Sequence, residues 1–415
     1  LVAFHATLAG GVIAEPAERN GVAALTAGLL MRGAGERGAK AFAESIAAVG
    51  GKFESESSLE AIVLHGEFMA RDSALMIGLL ADALQRPSLS EDEFEKLRTR
   101  AIRTISAARD ADLRSLIQTY AHSWVHDEHP YGRPLTGSEE SLARLEHDDV
   151  TNFYAEQIGA DRLTLTLVGD FDSGDLLEQL TSALGDWRPA GAAAPVVPET
   201  PVAAGGRVLL VDKPGATQTY FWIGNTSVTR GDEATPAIDL VNTLFGGRFT
   251  SMLNNALRVE SGLTYGARSL LERHVQRGSV GMFSFCATAD TVAAIDLALH
   301  QLQRLHQDGF DAETLTSGRN YILGTWTLGL ETGPQLADAV SGLKFYDLPD
   351  GALNDYARSV AAVSAADAAA VIERVYPTRD ELVYVIIGDG GAIRDQLGDY
   401  GEITELKISS PRFRP

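Results

Sequence analysis

Few side chains in this sequence have the type and spacing to do chemistry. The segment AHSWVHDEHPYG carries His122, His126 and His129, the first two at i, i+4 on one helix face before Pro130 ends the helix. Two imidazoles so placed can hold a metal, and a third histidine close by brings the set near to what a zinc centre needs. The run His-Pro-Tyr-Gly after the helix reads instead as a structural turn, which is the better reading of the segment. Farther on, Arg258 and Tyr265 lie in LRVESGLTYGARSLL, the first in the last turn of a helix and the second opening a strand after the break at Gly262. Both side chains can then point at one place, although taken alone they also read as a helix C-terminal cation and a strand aromatic. The one cysteine, Cys286, sits in the alternating run GSVGMFSFCAT and reads as a buried, inert thiol. Gly-Asp pairs at Gly169-Asp170 and Gly388-Asp389 end apolar strands as nucleotide sites do. No GxGxxG or GxxxxGKS follows either, which excludes a nucleotide function.

The elements that must position these groups occur twice. DDVTNFYAEQIGADRLTLTLVGD ends at Asp170 and AADAAAVIERVYPTRDELVYVIIGD ends at Asp389, 219 positions later. Each is an amphipathic helix, a polar turn and a β-rich strand closed by Gly-Asp. SEDEFEKLRTRAI and FDAETLTSGRNYI keep nearly the same offset, so a module of about 200 residues is duplicated in tandem. Between the copies lies WRPAGAAAPVVPETPVAAGG, whose Pro/Ala-rich composition favours an extended linker. The organisation expected is an N-terminal domain over 1–187, a linker over 188–206 and a homologous C-terminal domain over 207–415. In the first copy Phe53 to Ser58 and Ala61 to Phe68 alternate as an antiparallel pair, and Ser90 with Glu93 makes a capping box for a helix through Thr104. In the second, Thr235 and Pro236 are the N-cap and first residue of a helix to Phe245, and Thr250 to Val259 forms another. Strands and helices in series without regular alternation favour α+β domains.

Composition narrows the function classes. At 415 residues the chain is too long for one ordinary core. No run of 18 apolar residues occurs, so no membrane span is expected. A formal charge of −21 and a pI near 4.8 argue against nucleic acid, which needs a basic surface. Such acidity either draws basic peptides to a cavity or simply keeps the protein soluble. The single cysteine forbids an internal disulfide and leaves the redox compartment open. LVAFHATLAGG already alternates like a strand at Leu1, which leads to the expectation of a preceding segment, including a strand and a secretion signal.

Residues Gly21 to Ala34, GVAALTAGLLMRGA, have EPAERN before them and KAFAESIAAVGGKFESESSLEAIVLH after them. This stretch resembles the opening of the pitrilysin or insulinase-type metallopeptidases, the inverted zincins, whose GLAHFLEHMLFKGT-like segment carries H-x-x-E-H. In that frame the histidine positions fall on Ala24 and Gly28 and the glutamate position on Ala27, while the third-ligand position falls on Thr104 in KLRTRAIRTI. Methyl groups, a hydrogen atom and a neutral hydroxyl offer zinc almost nothing. Glycine inside a helix costs about 1 kcal/mol relative to alanine, which points to close packing at Gly28. The segment LVNTLFGGRFTSMLNNALRVESGLTYGARSLL also resembles the family's LGGGFSSRLxxxLREKxGLAYSV, and its Arg258 and Tyr265 match that motif's arginine and tyrosine.

The resemblance covers essentially the whole chain. It implies two homologous tandem α+β domains, each an antiparallel-rich sheet with helices, forming half of a clamshell chamber. In two-chain members one subunit holds the zinc and the other supplies the Arg/Tyr pair. The implied function is therefore a non-catalytic, substrate-binding subunit of a heterodimeric zinc peptidase. Arg258 and Tyr265 would hydrogen-bond a peptide carbonyl, and the partner, a homologue with an intact H-x-x-E-H, would carry the zinc that this chain lacks. Only Gly246-Gly247 precedes Arg248, where the non-catalytic subunit of mitochondrial processing peptidase has a long glycine-rich loop. The compact form is more similar to bacterial two-subunit members, for which a periplasmic location is the family-based expectation. Two rivals stand beside this reading: a structural subunit that scaffolds an assembly, and an independent enzyme using His122, His126 and His129.

Overall fold

Val2–Ala9 is buried over nearly its whole length because it runs inside a sheet, flanked on both sides. The computed structural model describes residues 1–415. The chain forms two compact units. The first comprises Leu1–Ser106, Arg133–Val196 and Thr327–Leu353, and the second Ala107–Gly132, Val197–Trp326 and Asn354–Pro415. Residues 188–206 contain neither helix nor strand, and the chain passes from one unit to the other among them.

The strands of the first unit are β1 (Val2–Ala9), the short ribbon β2 (Gly33–Ala34) and β3 (Arg37–Gly38), β4 (Lys52–Ser57), β5 (Ala61–Phe68) and β6 (Leu163–Gly169). Its main sheet has the order β4-β5-β1-β6 and is antiparallel throughout. The antiparallel pair expected from alternation is the β4–β5 hairpin, with Phe53 opposite Gly66. Phe53 packs its ring against Phe4 and Phe42, at centroid distances of 5.0 and 5.7 Å. The helix Val22–Leu30 begins after Gly21, whose φ of 103° suits glycine. Its first donors find the buried Glu15 carboxyl, which accepts from Ala23 N at 2.8 Å and Asn20 Nδ2 at 2.7 Å. Burial pushes that carboxyl up to about 7, against the pull of these hydrogen bonds.

The strands of the second unit are β7 (Arg207–Asp212), β8 (Gln218–Thr226), β9 (Ala267–Leu271), β10 (Ser279–Ala287), β11 (Val383–Gly388) and β12 (Glu402–Lys407). They lie in the order β12-β7-β11-β8-β10-β9. Within it, β9-β10-β8-β11 repeats the antiparallel order β4-β5-β1-β6. The two Gly-Asp strands, β6 and β11, hold equivalent places, so the duplication read in sequence is a duplication of topology. Two further strands, β7 and β12, extend the second sheet in parallel.

Each half of the chain also covers the other's sheet. Helix Leu113–His126, from the first half, packs on β8 and β11, burying Leu116, Ile117 and Tyr120. Helix Gly333–Phe345, from the second half, packs on β1 and β6. Since β1 and β6 are the counterparts of β8 and β11, the exchange is reciprocal. One polar contact pins the second case: Thr7 Oγ1 and Ser341 Oγ are 2.8 Å apart and buried.

Two local expectations are corrected. Thr235 is the first residue of helix Thr235–Asn242 and not its cap; the N-cap is Ala234, and the Thr235 hydroxyl donates to Asp232 O at 2.7 Å. The long helix, Glu91–Ala111, continues through Thr104 as expected, but without the capping box: Glu93 pairs with Lys96 Nζ at 2.9 Å instead of reaching back to Ser90. A nearby ammonium outcompetes a backbone N–H for a carboxylate. No helix is long and apolar enough to cross a membrane.

Candidate functional site

The helix Val22–Leu30 carries Ala24, Ala27 and Gly28, none of which has a side-chain atom able to coordinate zinc. Ala27 is buried, and a Cβ on Gly28 would lie 3.1 Å from Leu97 Cδ1. The close packing inferred from a helical glycine is therefore contact with helix Glu91–Ala111. Thr104 lies on that helix two turns past Leu97, exposed, with its hydroxyl donating to Arg100 O at 3.0 Å. No group of three or more His, Cys, Asp or Glu side chains is arranged to hold a metal ion.

The histidine cluster is real, but His122 and His129 are engaged with other protein groups and His126 Nδ1 is buried without a partner. His122 Nε2 lies 2.6 Å from Glu272 Oε2. His129 Nε2 meets Pro198 O at 3.0 Å, and its Nδ1 accepts from Tyr131 N at 3.1 Å. His126 is buried between their rings, at centroid distances of 6.2 and 6.1 Å. Burial, followed by the neighbouring imidazoles, pushes it down to about 3, so it is neutral. Burial also opposes charge on His122, but Glu272 outweighs it and raises the imidazole above its ordinary value. The same pairing overcomes burial to hold the Glu272 carboxyl low. The three histidines form a packed core cluster closed by a turn, which disfavours the metal reading. Cys286 is likewise buried, which pushes its thiol up to about 11 and keeps it protonated.

Arg258 and Tyr265 come together. The Arg258 guanidinium carbon lies 4.4 Å from the Tyr265 ring centroid and 4.8 Å from that of Phe249. Local structure forces this. The short helix Met252–Asn254, capped by Ser251, opens into a π-turn over Asn255–Glu260 that carries Arg258. Such turns are frequent at functional sites. Thr264 N then donates to Leu257 O at 3.2 Å, drawing the Tyr265 loop against the turn. Asn254 ties both sides, donating to Phe249 O at 2.7 Å and accepting from Ala267 N at 3.2 Å. Tyr265 does not open the strand as expected: β9 begins at Ala267, and Tyr265 sits in the preceding loop with 75% of its surface exposed. Gly246 packs so closely on β9 that a Cβ would lie 2.1 Å from Ser269 N, so it serves packing.

This pair borders a cavity of about 310 Å³ inside the second unit. Three further arginines, Arg114, Arg248 and Arg268, line it together with Phe283 and Phe285. Sequence reading missed all five. Arg248 stands inside the matched segment and Arg268 just past the motif's end, but neither coincides with a functional residue of the motif, and Arg114 comes from a distant segment that carries no local sign of its destination.

Two family models match the chain and together span most of it: insulinase (peptidase family M16) over residues 5–139, and the peptidase M16 inactive domain over residues 144–321. The chain belongs to the insulinase family. Among its relatives in that family is an uncharacterized zinc protease of Streptomyces coelicolor, 23% identical over 85% of this chain and 78% of its own length. Another is the non-peptidase homolog YmxG of Helicobacter pylori, 23% identical over 79% of this chain and 76% of its own. In fold, the chain is similar to the peptidase M16 inactive domain from Pseudomonas fluorescens, with a TM-score of 0.86, 19% identity, and coverage of 93% of this chain and 92% of the other. A protease from Helicobacter pylori has a TM-score of 0.85 at 17% identity, with 93% of each chain covered. The α+β architecture in two homologous units is thus that of the insulinase family.

Proposed function

We propose that this chain is the non-catalytic, substrate-binding subunit of a heterodimeric zinc metallopeptidase that degrades peptides. In this reading, Arg258 and Tyr265 hydrogen-bond a substrate carbonyl near the zinc of a homologous partner that carries H-x-x-E-H. The observation that carries it is the Arg258–Tyr265 pairing at 4.4 Å beside a peptide-scale cavity, in a chain whose Ala24, Ala27, Gly28 and Thr104 offer no zinc ligands of use. A guanidinium is suited to the task because it stays charged and can stabilise oxygen as negative charge develops there. The match to the inactive-domain model and the kinship with a non-peptidase homolog support the same reading.

The test is reconstitution with the zinc-bearing homologue, following cleavage of a short peptide. Activity is expected to need both chains. Arg258→Ala is expected to leave the complex intact on gel filtration and to lower kcat/KM by roughly 10- to 150-fold, the worth of one charged hydrogen bond. A partner fully active alone overturns the proposal. Unchanged cleavage by the variant complex favours the scaffold reading instead.

A further inference from the structure

We propose that the cavity beside Arg258 and Tyr265 seats a carboxylate of the bound peptide against Arg114 and Arg268, making the chain selective for peptides that carry an acidic side chain or a free C-terminus at that place. This rests on the peptide-binding reading above and names the substrate class.

The charge of the cavity is the first observation. Four arginines line it, and no lining residue is acidic. That arrangement runs against the chain as a whole, where 56 acidic residues face 35 basic ones. Like charges gathered around one cavity repel, and a folded chain ordinarily relieves this with a nearby carboxylate. Here three of the four guanidiniums, those of Arg114, Arg248 and Arg258, rest on aromatic rings. Arg114 lies over Phe283 and Phe285 at 6.0 and 5.7 Å, and Arg258 over Tyr265 and Phe249. A guanidinium stacked on a ring keeps its N–H edge free for a planar anion.

Register supplies the geometry. Arg268 on β9 stands directly opposite Phe283 on β10, so the two side chains leave the same face of the sheet. Since Arg114 lies over the Phe283 ring, both cations adjoin one aromatic side chain. Arg114 also occupies the first turn of helix Leu113–His126, where the helix dipole disfavours a cation. Arg248 adds an independent sign: its Nε is buried without a hydrogen-bond partner, while its Nη1 reaches Ser317 Oγ at 3.0 Å. An anion entering from outside relieves the repulsion, answers the misplaced cation and takes up donors left open. With a peptide as ligand, that anion is a carboxylate.

Calorimetric titration of the full chain tests this with three alanine-rich hexapeptides. One is blocked at both ends with a central glutamate, one is its glutamine counterpart, and one is the glutamine peptide with a free C-terminal carboxylate. Tighter binding of the first, by about tenfold or more over the second, identifies a side-chain carboxylate; the same gain for the third identifies a C-terminus. The double variant R114Q/R268Q, checked for an unchanged circular dichroism spectrum, is expected to abolish the preference while leaving the glutamine peptide's affinity in place. Arg258→Ala is expected to weaken all three alike. Charge reversal by Arg268→Glu is expected to shift preference toward a lysine peptide. Equal affinity for all three peptides overturns the carboxylate seat and leaves the peptide-binding reading standing. If no peptide binds at all, both fall.

Discussion

The contact between His122 and Glu272 makes a pH-dependent contribution to stability whose sign follows from the two shifts. Glu272 is held below its ordinary value of 4.5, so its contribution is present above that pH and fades as the pH falls through the lowered value. His122 is raised above 6.5, so its contribution is full below that pH and is lost as the pH rises through the raised value. The window of maximum benefit therefore lies between about 4.5 and 6.5. Glu272→Gln is expected to lower the melting temperature more at pH 5.5 than at pH 8.5, as measured by scanning calorimetry at both; an equal loss at both would remove the ion pair from the account. Sequence reading found the three histidines but not Glu272, which lies far along the chain, and so could not tell a paired core imidazole from a metal ligand. Arg258 and Tyr265 were legible because a short motif holds them, with one turn and one loop fixing their approach.

At the scale of elements, amphipathic patterns told where helices and strands lie but not which sheet each helix covers. A buried stripe on Gly333–Phe345 fits any apolar surface. What selects its place on β1 and β6 includes the polar match of Thr7 with Ser341, 334 positions apart and invisible to any local pattern. Ser341→Ala leaves the Thr7 hydroxyl buried and unpaired, an expected loss of about 1 to 2 kcal/mol in denaturant unfolding. Adding Thr7→Val removes the orphaned hydroxyl and is expected to restore most of that loss. A double variant no more stable than the single one would show that packing alone seats the helix. The misplaced start of β9 has a similar origin: the hydrogen bonds of Asn254 and Thr264 hold Tyr265 in a loop where alternation alone reads strand.

At the scale of the whole chain, duplication was the most legible property, since it survives as paired Gly-Asp strands and as the shared order of four strands in each sheet. The reciprocal exchange of helices was not, because two similar modules can be covered from within or by each other with the same hydrophobic pattern. A direct consequence concerns the segment 188–206, where Val196 is 90% exposed. A protease that cuts there severs the backbone but releases neither half, because each compact unit contains a segment contributed from the other side of the cut. Limited digestion is expected to give two fragments on a denaturing gel and one undivided peak on native size exclusion. Separation of the fragments without denaturant would mean that the exchanged helices hold on weakly.

The same exchange sets an order on biosynthesis. The four strands of the first sheet are complete once Gly169 leaves the ribosome, but the helix that covers β1 and β6 emerges more than 150 residues later. Until then, that face of the sheet stays bare. Contacts so remote in sequence form slowly, and a nascent chain with a naked sheet is prone to aggregate. The N-terminal half made by itself is therefore expected to need a chaperone, or the missing helix supplied as a separate peptide, to remain in solution.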